Sequence, residues 1–330
     1  MKKTVQEFAN ATISAYQNPY KSVSYIDPEA FNKSCVQLGK QLNPFYFGIK
    51  ETSILEPMKQ AFLEAGFIFH TIDKMSANGR AIDPTLVNPI TGGRMTGSSS
   101  GTAINVLIGI NDIGIGSDGG GSVLAPAMAL QLYSMIHPCF PVQMVTKQST
   151  DGLSFSPSSG IITRDFPTLE QTVELFSFKP LRRKLTIAVA KDFPSHLKQQ
   201  LSQYHTIHQI DFPNVAQKRE PLIAWLKTTI KEYDCLLSLE GPIDVESYGD
   251  SVIGSFSPIS KAQQEKSGKG LLRIVNMLDL VGVSVPYRDL AKGLLIIGEK
   301  ADTNALLGLA KSIEPQIPEL VERYFHKGRC

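Results

Sequence analysis

Residues 96–122 read TGSSSGTAINVLIGINDIGIGSDGGGS. Two serine–glycine loops bracket this stretch, Gly97-Ser98-Ser99-Ser100-Gly101 at its start and Asp118-Gly119-Gly120-Gly121-Ser122 at its end. Between them the residues predict a helix over 103–108 and a strand through Ile113-Gly114-Ile115-Gly116. A second helix is predicted from Pro126 to Leu132, just past Ser122. Three consecutive glycines let the backbone adopt conformations closed to other residues and approach a ligand closely. Their N–H groups can converge on one oxygen, and the serine that follows sets its hydroxyl beside them. Acyl transfer requires that pairing: a nucleophile, here Ser122, next to an oxyanion hole, here Gly119, Gly120 and Gly121.

Outward from this stretch, helix and strand signals alternate. An apolar stripe of Val5, Phe8, Ala9, Ile13 and Tyr16 predicts a helix over 4–17. Asp27-Pro28-Glu29 predicts a cap and first turn of a helix running to about Leu38. Phe45 to Ile49 predicts a strand that ends at Lys50, Glu56-Pro57 opens a helix, Gly66 stops it, and Phe67 to Phe69 starts the next strand. Residues 76–101 and 136–166 read as irregular. Later helices are predicted over 168–176, 194–203, 215–231 and 303–313, and later strands over 185–189, 235–238, 281–285 and 294–297. This alternation predicts an α/β fold with a largely parallel or mixed sheet, built as one domain over residues 1–330.

The bulk composition narrows the function. The 330 residues are 42% hydrophobic and 19% charged, enough to bury a sizeable core. A net charge of +2 gives no electrostatic case for nucleic acid or an anionic membrane. No apolar segment reaches the ~20 residues of a membrane span, and no apolar run follows Lys2-Lys3, so the chain is expected to be cytoplasmic. Cys35, Cys139, Cys235 and Cys330 form no CxxC pair and are expected as free buried thiols.

A serine nucleophile needs a base. None of the six histidines, at 70, 137, 196, 205, 208 and 326, sits in a hydrolase setting. Serine–lysine variants of the triad exist, and they require a lysine whose amine is neutral. Lys50, at the end of an apolar strand, meets that requirement, although the residues alone do not single it out among 33 basic side chains.

Three segments together resemble the amidase-signature family: Phe47-Gly48-Ile49-Lys50-Glu51, Gly97-Ser98-Ser99-Ser100-Gly101 and Asp118-Gly119-Gly120-Gly121-Ser122. The family pattern is an apolar strand ending in Lys-Asp or Lys-Glu, a Gly-Gly-Ser-Ser-Gly-Gly loop, then Asp-x-Gly-Gly-Ser. Ser98 and Ser122 keep the family's spacing, and Asn88-Pro89 matches upstream. Weaker similarity runs through Gly160-Ile161-Ile162-Thr163-Arg164-Asp165, Asn276 to Pro286, and Gly293 to Gly298. The resemblance implies an α/β/α sandwich around a mixed, largely parallel sheet, with a catalytic core over about 40–135. It implies that Ser122 attacks a carbonyl while Ser98, at a cis peptide, passes the proton to Lys50. The N–H groups of Gly119, Gly120, Gly121 and Ser122 would hold the oxyanion. The implied substrate is a small-molecule amide, with esters open to the same mechanism, and no metal or organic cofactor is called for. Oligomeric state is left open, a homodimer among the options.

The sequence also departs from the pattern. Leu124 stands where the family has an arginine expected to pair with Asp118, and Ser100 replaces a glycine. The segments after Lys50 and after Ser122 are short. Asp118 is therefore read as structural, and the substrate pocket is expected to differ from that of typical relatives. Simpler readings stand beside these: Gly119–Ser122 as a plain strand-to-helix turn, Ser98 as a helix cap, Lys50 as a solvated strand end. A non-catalytic binding protein and an amidotransferase subunit of the same fold are the functional alternatives. A nucleotide-dependent oxidoreductase is a third; Gly114-Ile115-Gly116-Ser117-Asp118-Gly119 has the spacing of a dinucleotide loop, but it is read as a chance match because it leaves the serine-rich loop 24 residues earlier unexplained.

Overall fold

The computed structural model describes residues 3–40, 42–315 and 317–326. Helix α1 (Val5–Gln17) is followed by β1 (Val23–Ile26), α2 (Ala30–Gly39), β2 (Tyr46–Lys50), α3 (Glu56–Glu64) and β3 (Ile68–Asp73). A hairpin of β4 (Ile82–Val87) and β5 (Arg94–Thr96) precedes α4 (Ser100–Leu107), β6 (Ile113–Asp118), α5 (Leu124–Ala129) and β7 (Tyr133–Ile136). A second hairpin, β8 (Lys147–Gln148) with β9 (Ser154–Phe155), leads to β10 (Ser158–Thr163) and α6 (Phe166–Val173). Then come β11 (Thr186–Ala190), α7 (Ser195–Ser202), β12 (Thr206–Ile210), α8 (Arg219–Thr229) and β13 (Cys235–Glu240). Short helices α9 (Ser251–Gly254) and α10 (Pro258–Glu265) precede β14 (Val281–Pro286), β15 (Gly293–Gly298) and α11 (Thr303–Ser312).

Eleven strands form one mixed sheet in the order β1-β3-β2-β6-β10-β7-β14-β15-β13-β11-β12. Four neighbouring pairs are parallel and six antiparallel. Helices cover both faces. Met58 and Phe62 of α3, Leu169 of α6 and Leu306 of α11 are buried on one side. Ile104 and Leu107 of α4, Met128 of α5 and Leu222 and Leu226 of α8 are buried on the other.

Strand alternation explains how α4 and α5 come close to the sheet. In β6, Ile113 and Ile115 belong to the α3 side, while Gly114 and Gly116 face α4 and the turn into α5. A Cβ at Gly114 would lie 2.6 Å from Thr102 Cγ2 of α4, and one at Gly116 would lie 2.6 Å from Ser99 Oγ. Gly160 and Gly282 continue this bare strip beneath Val123 and Leu124. The stretch with the spacing of a dinucleotide loop lies, up to Asp118, in a central strand paired to β2 and β10, in keeping with a chance match.

Several elements were not expected from the residues. The 76–101 segment holds the β4–β5 hairpin, where Pro84 interrupts the strand pattern. The 136–166 segment holds β10, whose Ser-Ser-Gly start gives it no β-rich signature although every residue is buried. Cys235 is buried as expected, but Cys35 is half-buried and Cys139 exposed, because they fall outside the apolar faces of their segments; all three are free. Cys330 lies outside the described residues. No helix among the described residues is long and apolar enough to cross a membrane.

Candidate active site

Strand β2 sets the position of Lys50. Phe47 and Ile49 point into the α3-side core, so Gly48 and Lys50 face the α4 side. The strand ends there, beside the end of the parallel strand β6, the edge at which open α/β sheets bind ligands. Lys50 is 4% exposed, so it is no solvated strand end. Its Nζ donates to Ser98 Oγ at 2.7 Å, to Ser117 Oγ at 2.9 Å and to the Ser117 carbonyl at 3.3 Å. Burial lowers its pKa to about 7; the Asp118 carboxylate opposes that shift and Lys147 adds to it.

Ser98 precedes α4 without capping it. The residue at the cap is Ser99, whose side chain makes no cap bond. The expected cis peptide at Ser98 is absent. Among the described residues only Gly241–Pro242 is cis, and the chain turns into Ser98 through Gly97 at φ +73° instead. A left-handed glycine makes the bend at little steric cost. Gly97 must be bare for a second reason: a Cβ there would meet Pro126 Cδ at 2.6 Å, because α5 lies against this loop. The two serine loops also touch through the Ser99 N–H, which donates to the Ser122 carbonyl at 3.3 Å.

Ser122 stands half-buried in the turn between β6 and α5. Its Oγ makes no hydrogen bond among the described residues, so the structure joins Lys50 to Ser98 but does not join Ser98 to Ser122. The Asp118 carboxylate shapes this turn. It accepts from the N–H groups of Gly121 at 2.7 Å, Val123 at 2.6 Å and Leu124 at 3.3 Å. Burial raises its pKa against these donors and against Lys50. The arginine missing at position 124 is thereby replaced by backbone, and Leu124 is free to be core. Gly121 must be set apart from the expected oxyanion donors: its N–H is committed to Asp118. The N–H groups of Gly119, Gly120 and Ser122 are not engaged by that carboxylate. Ser100, the other departure, donates to Asp83 Oδ2 at 3.0 Å and so ties the first loop to β4.

Other site residues carried no local signal. Ser117 follows from register alone, lying two residues beyond Ile115, the partner of Ile49. The wall over the glycine turn comes from distant segments. Phe155 of β9 packs on Gly119, where a Cβ would run into its ring, and Leu272 packs in the same way on Gly121. Arg219 Nη1 lies 3.2 Å from the position a Cβ of Gly120 would take. The buried histidines among the described residues are engaged elsewhere. His70 bonds Ile110 and Asn111, and His137 bonds Thr303; burial lowers the pKa of each to about 4.

No family model matches the sequence, and the comparison with curated proteins finds no match. Solved structures do match. An amidase superposes with a TM-score of 0.65 at 14% identity, over 93% of this chain and 95% of that one. A glutamyl-tRNA(Gln) amidotransferase subunit from Thermotoga maritima gives 0.63 at 14% identity, over 95% and 92%. A bacterial aryl acylamidase described as an amidase-signature enzyme gives 0.64 at 15% identity, over 97% and 92%. At such low identity the likeness is one of architecture, and it covers nearly the whole chain: this protein has the fold of the amidase-signature enzymes.

Proposed function

We propose that the chain is a serine amidase of the amidase-signature family, cleaving a carbon–nitrogen amide bond through an acyl-enzyme on Ser122. The observation that carries this reading is the buried Lys50 amine, 2.7 Å from Ser98 Oγ and with a pKa near neutrality. A neutral amine there accepts the Ser98 proton while Ser98 takes the proton of Ser122. Ser122 Oγ then bonds the carbonyl carbon, and the carbonyl oxygen becomes the oxyanion, facing the N–H groups of Gly119, Gly120 and Ser122. Collapse expels the amine with a proton returned along Ser98 from Lys50. Water, or another acceptor, completes the turnover by the same relay. The similar architectures of an amidase and an aryl acylamidase support this reaction class.

Labelling by a fluorophosphonate probe tests the proposal. Wild-type protein should be labelled and Ser122→Ala should not. A folded wild type that resists labelling defeats the catalytic reading. One observation favours a second reading, a non-catalytic binding protein of the same fold: Ser122 Oγ stands unbonded to the relay. An amidotransferase subunit remains a variant of the first reading, suggested by the Thermotoga maritima likeness, and it predicts activity only with a partner.

A further inference from the structure

The feature not absorbed by this mechanism is Arg219, the first residue of α8. Its Nε donates to Asp151 Oδ2 at 2.8 Å, and its Nη2 donates to Asp151 Oδ1. Asp151 sits in the turn joining β8 to β9, held by Ser149 Oγ at 2.6 Å. One edge of the guanidinium is therefore occupied, and the group is locked in orientation. Its side chain is only 17% exposed. Nη1 bonds to no protein atom among the described residues, and it is this nitrogen that approaches Gly120. A guanidinium carries five N–H donors, so the Nη1 side can receive a second carboxylate while Asp151 keeps the first.

Charges of both signs surround this nitrogen, and Nη1 is the donor that no carboxylate holds. Arg273 lies close enough to feel both Arg219 and Asp151, and its backbone carbonyl is 3.5 Å from the Gly120 Cβ position. Lys147, on the same hairpin as Asp151, bears on Lys50. Carboxylates lie here too: Asp151 holds Arg219, Asp118 sits under the turn, and Glu240 acts on Arg273. A small uncharged substrate would leave Nη1 to solvent, whereas an anionic one would engage it.

We propose that Arg219 selects substrates whose acyl group carries a carboxylate, binding that anion through Nη1 while the Ser122 turn holds the scissile carbonyl. This rests on the amidase reading above and adds the substrate class. The fixed guanidinium would set the anion on the Gly120 side of the carbonyl.

The test compares release of 4-nitroaniline from N-succinyl 4-nitroanilide and from N-butyryl 4-nitroanilide, which has the same chain length and no charge. Wild type should show a kcat/KM ratio of about 10- to 100-fold in favour of the succinyl compound, the range of a charge-assisted hydrogen bond. In Arg219→Gln that ratio should fall towards one, mainly through a higher KM for the succinyl substrate. Arg219→Lys should keep an intermediate ratio. Thermal unfolding of each variant accompanies the kinetics, so that loss of fold is not read as loss of selection. A wild-type ratio near one, with Ser122-dependent turnover of both compounds, overturns the inference and leaves the amidase reading standing. So does a ratio that survives in Arg219→Gln while both rates drop together, which would make Arg219 a support of the turn. No turnover of either compound and no labelling of Ser122 overturns both.

Discussion

Lys50 does two opposed things at once. Its amine is taken from water, which destabilises the charged form, and it is held by three oxygen acceptors on Ser98 and Ser117. Two outcomes follow. Turnover should fall about tenfold per pH unit below pH 7, where the amine becomes charged, and Lys50→Ala should lower kcat by orders of magnitude in a folded protein. A kcat/KM profile flat through pH 5–6 would assign the base elsewhere. The second outcome concerns stability. The folded pKa of about 7 lies below the ordinary lysine value of 10.5, so between these limits the unfolded chain binds more protons. Wild-type stability relative to Lys50→Met should therefore rise by about 1.4 kcal/mol per pH unit from pH 7 towards 10.5, read by urea unfolding. Asp73, paired in register with Lys50, has the opposite sign. Burial raises it to about 7, so its contribution is present in acid and lost as pH rises through that value. Asp73→Asn, which mimics the protonated acid towards Thr71 and Asn105, should be the more stable protein at pH 8 by denaturant midpoint.

At the scale of elements, the β6–α5 turn and the α4 packing carry the site. Asp118→Ala would leave the N–H groups of Gly121, Val123 and Leu124 without their acceptor, at about 1–3 kcal/mol for each one kept from water. That variant should lose several degrees of Tm and its Ser122 labelling together; labelling at the wild-type rate would show that the turn keeps its shape unaided. Gly114→Ala forces a methyl against Thr102 and should cost about 1–3 kcal/mol by overpacking, measured in the same melts. These elements also mark how far the residues could be read. Strand β2 and the helices after each serine loop were legible because apolar period and glycine punctuation coincide there. The β8–β9 hairpin was not: its strands are two residues each, and its turn is tied down by the Asp151–Arg219 pair, 68 positions apart. Likewise the turn was visible as three glycines, but the assignment of Gly121 to Asp118 depends on backbone direction, which spacing does not encode.

The whole molecule is organised as one eleven-stranded sheet whose mixed directions no local pattern announces. Antiparallel pairing at its centre brings β10 and β7 between segments far apart in sequence, so strand order emerges only from packing. His70 and His137 lie on opposite sides of β6 in that order, on β3 and just beyond β7, and both are kept neutral by burial, with pKa values near 4. Unfolding releases them to the ordinary value of 6.5, so the unfolded chain takes up more protons as pH falls from 6.5 to 4. Each should remove up to about 1.4 kcal/mol of stability per pH unit in that window, and a His70→Gln variant should flatten the acid limb of the stability curve.

The grip of Asp118 on the turn above it reaches beyond stability. The turn's shape is dictated from underneath, by the last residue of the strand from which it grows. What sets the turn is a handful of atoms beneath its floor.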